Sequence, residues 1–134
     1  MLPRLHLHDL PGPKRAGRLS QVVEDLYSKG ERVIVWVRDE GRRQILDGYL
    51  WTFRKLSFVP HCNWTPALGT EVVEPVVLVG EPVNPNGASV LVVGDDLPPM
   101  DWVGTFEAVH DFIAPDEEGE SRAAAWAEAG LVPS

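Results

Sequence analysis

The sequence predicts an α/β protein: one three-layer α/β/α domain over residues 1–134 with a mostly parallel central sheet. Three observations predict it. The runs VIVWV (33–37), PVVLV (75–79) and VLVV (90–93) are continuous and β-branched, the pattern of strands buried on both faces. Amphipathic stretches with three- and four-residue apolar spacing alternate with the first of these runs, as a parallel sheet covered by helices requires. At 134 residues, 44% hydrophobic and 24% charged, the chain is long enough for one well-filled core.

The elements follow in order. LHLHDL (5–10) alternates apolar and polar residues and reads as a short strand. In GRLSQVVEDLYSKG, Leu19, Val22, Val23, Leu26 and Tyr27 recur at helical spacing, and Lys29-Gly30 supplies a stop. ERVIVWV (31–37) is a buried strand. Asp39 then caps a second helix, in which Ile45, Leu46, Tyr49, Leu50 and Phe53 are expected to form one stripe against the sheet. PVVLV and SVLVV are further buried strands, and the EPVNPNGA between them reads as a loop. FEAVHDFI (106–113) gives one more strand, and EEGESRAAAWAEAG an Ala-rich terminal helix stopped by Gly130. No element is assigned to residues 60–74.

Charge is unevenly placed. Residues 1–64 carry 11 cations against 7 acids, whereas residues 65–134 carry Arg122 alone against 13 acids. Phosphate binding needs clustered cations, so direct nucleic-acid binding is not expected of the second half. The apolar runs are too short to span a bilayer, no signal peptide is legible at the N-terminus, and Cys62 is the one cysteine. These features predict a cytoplasmic protein without disulfides.

Chemical motifs are sparse. Neither a Gly-rich dinucleotide loop nor a Walker sequence is present. His6 and His8 sit on one face of a strand, a spacing that metal-dependent enzymes use, but His61 and His110 are the only other histidines. His61 and Cys62 are adjacent, which in an extended chain points them apart. No cofactor and no catalytic residue is assigned. A small metal-dependent α/β enzyme using His6 and His8 stands as the alternative class.

The stretch LDGYLWTFRKLSFVPH (46–61) carries more information. Trp51 falls about 100° beyond Leu50 around the helix, on its flank, and a Phe58-Val59-Pro60-His61 segment follows. An aromatic outside the core stripe beside a rigid segment suits a protein-binding patch. The run resembles the signature of the chi subunit of the bacterial DNA polymerase III holoenzyme: Leu-Asp-x-x-Leu-Trp, then Ser-Phe-x-Pro-His. GERVIVWVRDE before it, EPVVLV and SVLVVG after it, and FEAVHDFI with the terminal helix are similar too, over roughly residues 18–131.

The resemblance implies a non-catalytic replication subunit that binds psi, and through it the clamp loader, and grips the acidic C-terminal tail of single-stranded DNA-binding protein. It assigns Trp51, Phe58, Pro60 and His61 to the psi-binding surface. For the tail it implies a basic terminal helix, where this chain offers Arg122 and, as an apolar surface, Trp126. With four Glu and one Asp around Arg122, weak binding is expected, or a tail site relocated to first-half cations such as Arg42, Arg43, Arg54 or Lys55. A chi-like adaptor for another DNA-processing protein, such as a helicase, is a second reading of the same resemblance.

Overall fold

Val33–Trp36 (β2), Val76–Val79 (β4) and Val90–Val93 (β5) are buried at every position. Their β-branched side chains fill both faces of a sheet, so each lies between two neighbours. The computed structural model describes residues 2–10, 15–52 and 59–133. Arg4–Asp9 (β1), His61–Asn63 (β3) and Ala108–Ile113 (β6) complete a six-stranded sheet of order β1-β6-β5-β2-β4-β3, parallel throughout. β3 lies in the stretch left unassigned from the sequence; three residues on an edge leave no period to read.

Helices cover both faces. Arg15–Ser28 (α1) and Glu40–Thr52 (α2) pack on one side, where Leu19, Val23, Leu46 and Leu50 meet Val33, Val35, Val92 and Phe112. Met100–Val103 (α3) and Glu117–Glu128 (α4) cover the other, where Val103 and Trp126 meet Leu5, Ile34, Leu91 and Val109. The α/β/α class holds. Among the described residues no helix is long and apolar enough to cross a membrane.

Several local devices set the helix ends. The Asp39 carboxylate accepts the Arg42 N–H at 2.8 Å, the expected cap of α2. Asp116 accepts the Gly119 N–H at 2.9 Å at the start of α4. Gly119 itself allows close approach: a Cβ there would lie 1.8 Å from the Ala114 carbonyl oxygen. α4 can therefore lie tightly on the sheet.

The expected stripe of α2 needs correction. Leu46 and Leu50 are buried, but Ile45 is 72% exposed and Tyr49 38% exposed. Phe53, its last member, lies outside the described residues. The helix turns its Leu46–Leu50 line to the sheet, and α1 packs beside it, so the Ile45–Tyr49 line faces outward.

Candidate protein-docking sites

Trp51 lies in the last turn of α2, and its side chain is 52% exposed. The ring is braced from behind. Its centroid lies 4.5 Å from that of His61, with the planes tilted by 46°. His61 is buried and fixed in turn: Nδ1 is 2.8 Å from the Val59 carbonyl oxygen, and Nε2 is 3.2 Å from the Asp47 carbonyl oxygen and 3.1 Å from an Asp47 carboxylate oxygen. The structure thus brings Trp51, Pro60 and His61 into one region. Within it His61 faces inward, against the Trp51 ring. Phe58 lies outside the described residues.

Arg122 and Trp126 are both engaged inside the protein. Trp126 is fully buried, and its indole N–H donates to Asp111 at 2.7 Å. Arg122 donates through Nε to the same carboxylate at 2.6 Å and through Nη2 to the Asp95 carbonyl oxygen. Asp111, also fully buried, accepts the Phe112 N–H as well, at 2.8 Å. A buried acid needs such company, because an unpaired carboxylate out of water is costly. In this conformation Trp126 cannot offer surface to an incoming side chain, and the Arg122 charge is largely spent on Asp111.

Three cations meet at the carboxyl ends of the strands. Arg15, Arg42 and Arg122 line a crevice of about 330 Å³ together with Asp95, Asp96 and Glu118. Arg15 places Nη2 3.5 Å from the Phe112 carbonyl oxygen and its guanidinium 5.9 Å from the Phe112 ring centre, while Nη1 is buried with no hydrogen-bond partner among the described residues. Burial, then the Arg122 charge, lowers the Arg15 pKa from its ordinary value; Asp111, Glu118 and Asp95 act in the opposite direction. An apolar slot of about 190 Å³ adjoins the crevice, formed by Ala16 and Leu19 of α1 and Ile45 and Leu46 of α2. Sequence reasoning missed Arg15. The signal available was its place at the start of the first helix after the first strand.

The histidines of β1 and β6 also converge. His6 and His110 stack with centroids 4.5 Å apart, and His8 Nε2 lies 2.9 Å from His110 Nδ1. Among the described residues no group of three or more His, Cys, Asp or Glu side chains is arranged to hold a metal ion. Cys62 is half-buried, and burial, followed by Glu74 and Asp47, pushes its thiol up to about 11, far from a nucleophile's range.

Against known proteins, the sequence model of the family described as DNA polymerase III chi subunit, HolC matches residues 4–128. The chain belongs to that family. A curated relative, DNA polymerase III subunit chi of Pseudomonas aeruginosa, is 28% identical over 127 residues, covering 92% of this chain and 84% of the relative. The probable DNA polymerase III subunit chi of Rickettsia prowazekii is 28% identical over 74 residues, 54% of this chain and 43% of that protein.

Solved structures share the architecture at low identity. The C-terminal domain of Saccharomyces cerevisiae Dbp5 aligns with TM-score 0.63 and 13% identity, over 98% of this chain and 87% of that one. The RNA-helicase Prp28 from Chaetomium thermophilum, bound to ADP, aligns with TM-score 0.57 and 11% identity, over 100% of this chain and 39% of that one. These likenesses concern the fold alone. Membership of the chi family rests on the sequence model, whose match runs through the Trp51 region and the Arg122 helix.

Proposed function

We propose that this chi-family chain is a non-catalytic adaptor of the DNA polymerase III holoenzyme. It joins the clamp-loader complex, through psi or an equivalent component, to single-stranded DNA-binding protein in the cytoplasm. The observation that carries the reading is the half-exposed Trp51 ring braced by buried His61. A large aromatic held rigidly at a surface gives contact area at little entropic cost, the property of an interface anchor. It stands with Phe58 and Pro60 in the signature that the family resemblance assigns to psi.

The second contact, to the acidic tail, is supported at the Arg15–Arg42 crevice in preference to Arg122 and Trp126, which are engaged inside the protein.

Affinity purification from native extract, with mass spectrometry of the captured proteins, tests the first contact. The wild type is expected to bring down the clamp-loader component, and Trp51→Ala with Phe58→Ala to lose it while keeping the wild-type circular dichroism spectrum. A folded double variant that retains every partner refutes the patch. Capture of a helicase in place of clamp-loader components shifts the reading to an adaptor of another DNA-processing machine.

A further inference from the structure

α2 turns three lines of side chains in three directions. Leu46 and Leu50 are buried against the sheet, Ile45 and Tyr49 face outward on one flank, and Asp47 and Trp51 fall on the other. Residues four apart on a helix stand one above the other, so Asp47 and Trp51 form a clamp one turn wide. What it closes on is the ring of His61, the first residue of the edge strand β3. The Trp51 ring centre lies 4.5 Å from that of His61, and an Asp47 carboxylate oxygen lies 3.1 Å from His61 Nε2.

Exposure is graded across the three groups. The His61 side chain is fully enclosed, the Asp47 side chain is 31% exposed and Trp51 is half exposed. Acceptors stand at both imidazole nitrogens: the Val59 carbonyl oxygen 2.8 Å from Nδ1, and the Asp47 carbonyl oxygen 3.2 Å from Nε2 beside the carboxylate. Of these acceptors only the carboxylate belongs to a side chain, so it alone can be removed without disturbing the main chain. The run LDGYLW thereby gains a reason for its Asp: Leu46 and Leu50 enter the core, while Asp47 and Trp51 meet His61 from two sides. A ring already fixed before contact loses less freedom when a partner covers it.

We propose that Asp47 is a positioning residue for the exposed Trp51 ring: its carboxylate holds the His61 imidazole, and the imidazole sets the plane in which the indole meets a partner protein. The proposal rests on the reading of Trp51 as a docking anchor and deepens it by naming the group that pre-orients the anchor. Asp47 acts through His61 and needs no contact of its own with the partner.

Fluorine NMR of the fluorotryptophan-labelled chain tests this without any partner, the Trp51 line being assigned through Trp51→Phe. In Asp47→Ala the Trp51 line is expected to move at least halfway toward its position in urea, while the other tryptophan lines stay in place. Asp47→Asn, whose amide oxygen accepts the same N–H, is expected to restore the wild-type position. Used as bait in native extract, Asp47→Ala should retain about fivefold less clamp-loader component than the wild type, at an unchanged circular dichroism spectrum. Asp47→Asn should stay within about twofold of the wild type. A hydrogen bond that merely stabilises the fold would lower the urea midpoint of Asp47→Ala and leave the Trp51 line where it is. That result, or equal shifts in the Ala and Asn variants, overturns the proposal. If the line moves as expected but capture is unchanged, Asp47 does set the ring, and the reading of Trp51 as the anchor is what fails.

Discussion

Protonation of His110 should destabilise the fold as the medium turns mildly acidic. Its ring is stacked on His6 at 4.5 Å and lies 5.2 Å from His8. Burial first, then the charges of His6, His8, Lys29 and Arg4, lower its pKa from 6.5 to about 3. His6 and His8 are lowered as well, burial leading in both; Arg4 and Lys29 add to it at His6, and Arg18 and His6 at His8, where Asp111 and Asp9 oppose. A depressed imidazole pKa means the folded state binds fewer protons than the unfolded one. The stabilising difference is therefore complete above pH 6.5 and is lost as pH falls from there toward 3. Between about pH 7.5 and about pH 5, a fully enclosed ring with this shift would lose about 2 kcal/mol. His110 retains some solvent access, and screening reduces the expected loss to about 1 kcal/mol. Urea unfolding at the two pH values, for wild type and His110→Phe, isolates the effect, because carboxylate titrations common to both cancel. The wild type should lose about 1 kcal/mol more than the variant over that interval. Equal losses, or an NMR titration placing the His110 midpoint near the ordinary value, would refute the reasoning.

Other expectations concern the interior. With its thiol at about 11 against an ordinary 9.0, Cys62 should react with a disulfide reagent at about pH 8 roughly 100-fold more slowly in the folded protein than in urea. Arg122→Met strands the Asp111 carboxylate with only the indole and backbone N–H donors. Chemical denaturation should show a loss of about 3 kcal/mol, the low end for breaking a buried pair. Gly94→Ala drives a methyl group into Val37 and the Trp36 carbonyl, costing about 1–3 kcal/mol in the same assay.

Much of this fold was legible because the buried strands carry unbroken β-branched runs and α1 keeps a clean helical period. β3 and α3 were not, since HCN and MDWV are too short to display any period. The α2 stripe was half legible. Spacing identified five apolar positions but not which edge of the arc meets the sheet, and that choice left Ile45 at the mouth of the slot. Trp126 was misplaced because an Ala-rich, acidic helix looks solvent-facing. Its small side chains and Gly119 in fact let α4 settle close enough to turn the indole wholly inward. A clue was present in Asp111, an acid within an otherwise apolar strand, and Arg122, the one cation of the second half. Such a pair is more economically placed together in the interior than apart. Arg15 and Arg42 are 27 positions apart and meet only through the topology, which no local pattern encodes.

The proposed adaptor would have to hold two partners at once, and the geometry of α2 would keep them apart. Arg42 and Trp51 are nine residues apart on this helix, which sets them about 13 Å apart along its axis and about 180° apart around it. Leu46 and Leu50, on the line between, are sealed against the sheet. Under that proposal a tail peptide at the Arg42 end and a protein on the Trp51 end would contact opposite sides of one rod, with no shared side chain. Saturating the chain with its Trp51-side partner should leave the anisotropy-measured affinity for the tail peptide within about twofold, since separate sites without a two-state element between them are nearly additive. Displacement of the peptide by that partner would place both on the same surface, and the two-ended use of α2 would have to be abandoned.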